Sequence, residues 1–194
     1  VRLLRFALAL PLLAPVALPL AGCDDTTGIG RQVIVTDTVT IGVPSVAAES
    51  VPTALDVLSF DQFTIGGGRF PERPGQAEEW DVTLRLNDGT FTLLPRGAVG
   101  VEPRRAAITE PITGVTFEGL SEAPVSSRFS TVRGVPLVVG NVHVVRSRTY
   151  ILGASTCWQY SKVQPLELDP AAGTVRLQLA TSAGCQDPRL TPRN

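Results

Sequence analysis

Trp80-Asp81-Val82-Thr83-Leu84-Arg85-Leu86-Asn87-Asp88-Gly89-Thr90-Phe91-Thr92-Leu93-Leu94 alternates in character on both sides of a turn signal. Successive side chains of a strand point to opposite faces, so Trp80, Val82, Leu84 and Leu86 share one face and Asp81, Thr83, Arg85 and Asn87 the other. Asn87-Asp88-Gly89 tolerates positive φ and turns the chain back. Phe91 and Leu93 then return to the apolar face, and Pro95 ends the run. This hairpin sets the expectation for the rest of the chain.

Working outward, 18 glycines and 16 prolines are scattered through 194 residues, and Val, Thr, Leu and Ile dominate the intervals between them. Short β-branched runs punctuated in this way predict an all-β, antiparallel domain, either a sandwich or an open barrel-like sheet. Residues 32–43 read as a strand with Val33, Val35, Val39 and Ile41 on one face and Asp37 interrupting. Residues 56–65 read as another, with Leu58, Phe60 and Gln62 opposed to Phe63 and Ile65, broken by Gly66-Gly67-Gly68. Residues 69–79 read as a loop, 112–118 as a strand and 121–130 as loop into strand. Residues 135–150 form the longest strand-like run, with Val142 and Val144 alternating against His143 and Val145. Residues 46–58 are the one stretch that fits a short helix.

The amino-terminal segment is read as targeting, not fold. Arg2 and Arg5 precede an uncharged run from Phe6 to Leu20, which contains Pro11, Pro15 and Pro19 and ends in Leu20-Ala21-Gly22-Cys23. The run is short for a membrane span, and its prolines oppose a continuous helix. These residues resemble the bacterial lipoprotein signal, with Val1 expected from an alternative start codon read as Met. The resemblance implies cleavage before Cys23, a thioether-linked diacylglycerol on Cys23 and a further acyl chain on its amino group. Each buried CH₂ contributes about 0.8 kcal/mol; one chain anchors marginally, and two or three hold a protein on a membrane. The expected organisation is a signal peptide over 1–22, a lipidated tether over 23–31 and one β domain over 32–194. The expected location is the bacterial cell envelope, on the periplasmic face or the cell surface. Loss of Arg2 and Arg5 would move the net charge from −1 to −3, and there is no basic patch for nucleic acid.

Cys157 and Cys185 remain after Cys23. In an exported protein two such cysteines are read first as a disulfide. Residues 157–168 read as a strand, Asp169-Pro170-Ala171-Ala172-Gly173 as a turn and residues 174–181 as the returning strand. Pairing symmetric about Ala171 places Cys157 opposite Cys185, within reach of a bond. Near the turn a register joining Leu166 to Leu177 and Leu168 to Val175 buries more apolar surface. One extra residue in the first strand, near Pro165, reconciles the two registers as a β-bulge.

Several stretches resemble the HmuY-like lipoproteins, an all-β family whose founding members bind haem. They are Trp80-Asp81-Val82-Thr83-Leu84-Arg85, Val115-Thr116-Phe117-Glu118-Gly119-Leu120-Ser121-Glu122-Ala123-Pro124, and Val144-Val145-Arg146-Ser147 with Tyr160-Ser161-Lys162-Val163. The resemblance implies a ligand-binding envelope lipoprotein. Haem-binding members are reported to clamp iron with His or Met from loops. This chain has one histidine, His143, placed mid-strand, and no methionine, which argues against haem.

Other candidates point the same way. His143 lacks the companion ligands of a metal site and the nucleophile partner of a general base. Glu78, Glu79 and Asp81 beside Trp80 could pair carboxylates across a sugar, but a solvated loop leading into an alternating strand accounts for them, and the family resemblance makes Asp81 a structural polar group. Arg104 and Arg105 read as solvated rather than as an anion site. Gly28-Ile29-Gly30 lacks the rest of a nucleotide loop. Trp158 and Tyr160 share a face that is either core or ligand platform. No catalytic residue, metal or cofactor is assigned. The expected function is a non-enzymatic, lipid-anchored envelope protein binding a ligand or another envelope protein; the alternative is a structural or assembly lipoprotein without a small-molecule ligand.

Overall fold

In the computed structural model, residues 33–59, 64–101 and 106–192 are described. The last hairpin shows how the sheets are built. Tyr160–Asp169 (β12) and Thr174–Ser182 (β13) pair antiparallel, from Ser161 opposite Thr181 to Pro165 opposite Leu177. The register then slips by one residue, and Glu167, Leu168 and Asp169 face Arg176, Val175 and Thr174. A bulge was expected near Pro165; the unpaired residue is its neighbour Leu166, and Pro165 itself takes the place opposite Leu177. Asp169 Oδ1 accepts the Ala171 and Ala172 N–H groups, and Gly173 at φ 65° completes the turn.

Ile34–Gly42 (β1) lines the other side of β13 along its whole length. The remaining strands are Ala54–Asp56 (β2), Gly67–Arg69 (β3), Val82–Asn87 (β4), Thr90–Pro95 (β5), Ala107–Thr109 (β6), Phe129–Ser130 (β7), Val135–Pro136 (β8), His143–Arg146 (β9), Tyr150–Leu152 (β10) and Ser155–Cys157 (β11). They form a six-stranded sheet in the order β1-β13-β12-β9-β6-β7 and a five-stranded sheet in the order β3-β2-β4-β5-β8; β10 and β11 pair only with each other. The central hairpin turns at Asp88 (φ 48°) and Gly89 (φ 76°), the left-handed pair its sequence demanded.

The two sheets meet face to face. Val39, Ile41, Val163, Val175, Leu177 and Leu179 of one pack with Leu55, Val82, Leu84, Phe91, Leu93 and Val135 of the other in one core. Part of the outer face of the six-stranded sheet is covered as well, although Thr36, Thr38 and Thr40 of β1 remain exposed there. Val142, Val144 and Ala180 lie beneath Phe117, Leu120, Ala123 and Leu190, contributed by loops. The all-β, antiparallel expectation is met as a sandwich with a third, irregular layer.

Several local expectations change. Residues 46–58 form turns and then β2, not a helix: Pro44 and Pro52 bracket the segment, and the Gly42 N–H bonds the Pro52 carbonyl. The strand expected over 56–65 ends at Asp56, and its Phe60, Gln62 and Phe63 lie outside the described residues. Gly66-Gly67-Gly68 does not simply break a strand, since Gly67 and Gly68 begin β3. A Cβ on Gly66 would lie 2.4 Å from the Asp56 carboxyl carbon, so close approach explains that glycine. Residues 112–118 make one bridge, Ile112 to Val142, then turn at Gly114 (φ 76°) and drop Phe117 onto the outer core. The run 135–150 divides at Gly140 (φ 84°): β8 joins one sheet, β9 the other. Val138 and Val139 at the crossing are exposed, so their β-branched side chains continued the strand-like pattern where the chain is in fact passing between sheets.

The strand expected over 157–168 is interrupted at Trp158 and Gln159, so Cys157 belongs to β11 and Cys185 lies beyond β13. Their sulfurs are nonetheless 1.97 Å apart, with Cα atoms at 5.1 Å. Replacing both cysteines, Cys157→Ser with Cys185→Ser, should lower unfolding free energy by about 2–4 kcal/mol in urea titrations; an unchanged midpoint would contradict a bond that closes this hairpin.

Candidate functional site

The residues singled out in the sequence fall into separate places. Cys23, Gly28 to Gly30, Arg104 and Arg105 lie outside the described residues. Glu78 and Glu79 are exposed, while Asp81 is fully buried, so the three do not converge on one cleft. His143 is sealed between the sheets; its Nδ1 donates to the Thr109 carbonyl at 3.2 Å, and burial lowers its pKa. Its Nε2 is left as a buried acceptor without a partner among the described residues. Trp158 and Tyr160 are half-buried. The Arg146 guanidinium lies 5.7 Å from the Trp158 ring and 5.8 Å from Phe129, and Phe129 in turn meets Tyr160 at 5.7 Å. The chain's own arginine therefore occupies the aromatic surface that could have been a ligand platform.

Asp81 belongs to a buried charge cluster that sequence reasoning missed. Arg148 follows β9, Asp56 ends β2 and Asp81 precedes β4, so the cluster ties one sheet to the other. Arg148 Nη1 and Nη2 reach the two Asp56 oxygens at 2.7 and 3.2 Å. Nη1 also lies 3.3 Å from Asp81 Oδ2, and the Arg148 backbone N–H donates to Asp81 Oδ1 at 2.6 Å. Val57 N–H donates to Asp81 and Leu58 N–H to Asp56. Arg69, partly exposed, adds a second cation 3.0 Å from Asp56. Burial pushes the Asp81 carboxyl up to about 6, against the pull of Arg148 and with a further push from Asp56. Burial also works against the Arg148 charge, but Asp81 and Asp56 outweigh it and raise its pKa.

Next to it, Gln159 holds the chain leaving β2. Its Oε1 accepts from Ser59 N–H at 2.7 Å and its Nε2 donates to the Ser59 carbonyl at 2.8 Å. With its polar groups paired internally, this region is structural. It offers no open carboxylate pair for acid–base work.

An open pocket that holds a nearly buried cation lies on the outer face of the six-stranded sheet. Lys162, the only lysine in the chain, alternates with Ser161 and Val163 on β12 and so points away from the main core. It is 4% exposed. Nζ donates to the Leu120 carbonyl at 3.2 Å and sits 4.8 Å above the Phe117 ring. Phe117, Ile34, Ala180 and Leu190 wall a pocket of about 310 Å³ around it, with Thr36, Glu118, Gln178 and Thr191 also lining the space. Burial lowers the Lys162 pKa, and the Glu118 carboxylate partly restores it. An ammonium has three donors; the Leu120 carbonyl takes one. With apolar side chains on one wall, polar ones on the other and one ammonium at its floor, the pocket suits a small amphipathic anion whose charged end lies at Lys162 and away from the Glu118 carboxylate. Its volume lies at the lower end of ligand pockets. Lys162 was not singled out in the sequence: β12 puts it in phase with Tyr160, but the loops that bury it come from residues 117–120 and 190–192.

Comparison with protein families, characterised proteins and solved structures finds no match to this chain.

Three outcomes are expected. Arg148→Met, which leaves two buried carboxylates without their shared cation, should cost about 3–5 kcal/mol of unfolding free energy in urea titrations. Below the ordinary carboxyl value of 3.8 both folded and unfolded chains hold the Asp81 proton; from there to about 6 the folded chain holds it more strongly. The stability from this group is therefore full in acid and is lost as pH rises through its folded value. Wild-type unfolding free energy minus that of Asp81→Asn should fall over this window, and a constant difference would contradict it. Finally, reductive ¹³C-methylation of Lys162 should give an NMR signal that titrates below the ordinary 10.5; a midpoint at or above it would place the amine in water.

Proposed function

We propose that this chain is a bacterial envelope lipoprotein, held on a membrane by acyl chains on Cys23, whose β sandwich is a non-enzymatic binding module. The ligand is a small amphipathic anion with its charged end at Lys162 and its apolar part against Phe117, Ile34 and Leu190. The observation that carries the binding half of this reading is the nearly buried ammonium at a pocket walled in part by Phe117, Ile34, Ala180 and Leu190. The anchoring half rests on Leu20-Ala21-Gly22-Cys23, and the pairing of Cys157 with Cys185 suits an oxidising compartment. The HmuY-like resemblance fits an all-β binding lipoprotein. Haem is not the ligand proposed, because His143 is sealed in the core with Nδ1 committed to Thr109.

Calorimetric titration with decanoate tests the pocket. A charged hydrogen bond is worth about 1.5–3 kcal/mol, so Lys162→Met should weaken binding at least tenfold while leaving the unfolding transition in place. Equal affinities of the two proteins would remove the pocket reading, and a Soret shift with hemin would reinstate haem. For the anchor, metabolic labelling with an alkynyl fatty acid should mark the native protein and not Cys23→Ser.

A further inference from the structure

The hairpin of β10 and β11 belongs to neither sheet. Its stretch Thr149-Tyr150-Ile151-Leu152-Gly153-Ala154-Ser155-Thr156 carries no charge. Near its tip Ile151 is 73% exposed and Leu152 59%. Two large aliphatic side chains held out on an uncharged turn are costly in water and have no use in the core.

Its place in the fold says what covers it. The described chain begins at Val33, whose carbonyl accepts the Ala183 N–H at 3.0 Å. Two residues further on, Cys185 is bonded to Cys157, and Cys157 lies directly opposite Tyr150 in the hairpin. Gln186 reinforces the same junction: its N–H bonds the Trp158 carbonyl and its side chain the Thr156 carbonyl. The hairpin base and the point where the tether enters are thus at one end of the sandwich. The turn at Ala171 is at the other, a strand of nine residues away. Ten residue steps separate Cys23 from Val33, a reach of at most about 36 Å fully extended.

We infer that Ile151 and Leu152 insert into the lipid surface to which Cys23 is anchored, so that the domain rests on the membrane through a second, protein-made contact beside its acyl chains. The inference rests on the anchoring reading above. Burying these side chains in the interface removes their exposed apolar area from water, and the absence of charge over residues 149–156 leaves no ion to desolvate. The contact also orients the sandwich, with the Ala171 turn directed away from the bilayer.

The test uses the full native-processed protein in phosphatidylethanolamine–phosphatidylglycerol vesicles with brominated acyl chains. Leu152→Trp should add emission that is shifted to the blue and quenched by the brominated lipid, and Ile151→Trp should do the same. Ala171→Trp, exposed at the far turn, should add emission that is not quenched. Mass spectrometry of the same preparation separates the two readings. Acyl chains on Cys23 with unquenched tryptophan at both 151 and 152, or with equal quenching at 171, overturn the hairpin contact and leave the anchor standing. An unmodified Cys23 overturns both.

Discussion

A single guanidinium joins the ends of the two sheets. Arg148 leaves the six-stranded sheet and places its charge between Asp56 and Asp81, which belong to the other. Removing such charges from water is expensive, and only good geometry with full hydrogen bonding offsets it. Here the carboxylates also receive backbone N–H groups from Val57, Leu58 and Arg148 itself. The cluster therefore fixes positions as much as it adds stability. It dictates a residue without a side chain at Gly66, and it holds the chain leaving β2 against the neighbouring sheet.

The six-stranded sheet is buried on one face and, around β9 and the middle of β12, on the other as well, while Thr36, Thr38, Thr40 and Arg176 of that outer face stay exposed. The first face meets the five-stranded sheet; the covered part of the second meets loops bearing Phe117, Leu120 and Leu190. Strands covered on both sides lose the clean apolar–polar alternation of a half-exposed sheet. In β9, His143, Val144 and Val145 are all fully buried although they point to alternating faces. The same covering layer encloses Lys162, converting what would be an ordinary surface cation into the floor of a pocket.

Legibility in the sequence followed the range of the forces involved. The turn at Asp88-Gly89 and the alternation from Val82 to Leu86 are local, and both were readable residue by residue. The Cys157–Cys185 pairing and the bulge beside Pro165 were also readable, because hairpin symmetry converts spacing into proximity. The charge cluster was not: Asp56 and Arg148 are separated by 92 positions, and neither sits in a pattern that singles it out. Lys162 was not singled out in the sequence, because its burial depends on loops whose Ile112 to Phe117 stretch imitated a strand. Those loops carry apolar residues to cover a sheet, not to extend one. The long run before Tyr150 misled for a related reason, since it crosses from one sheet to the other at Gly140.

Gln159 does with a side chain what a neighbouring peptide would otherwise do. Its amide presents one acceptor and one donor to Ser59, matching the N–H and C=O that an adjacent strand would offer. Ser59 lies just past the end of β2, where the backbone has left the ladder. A bare peptide edge at such a point is a template on which another copy could add a strand. Here the template is already occupied from within, so at Ser59 the sandwich closes against polymerisation without using a further strand to do so.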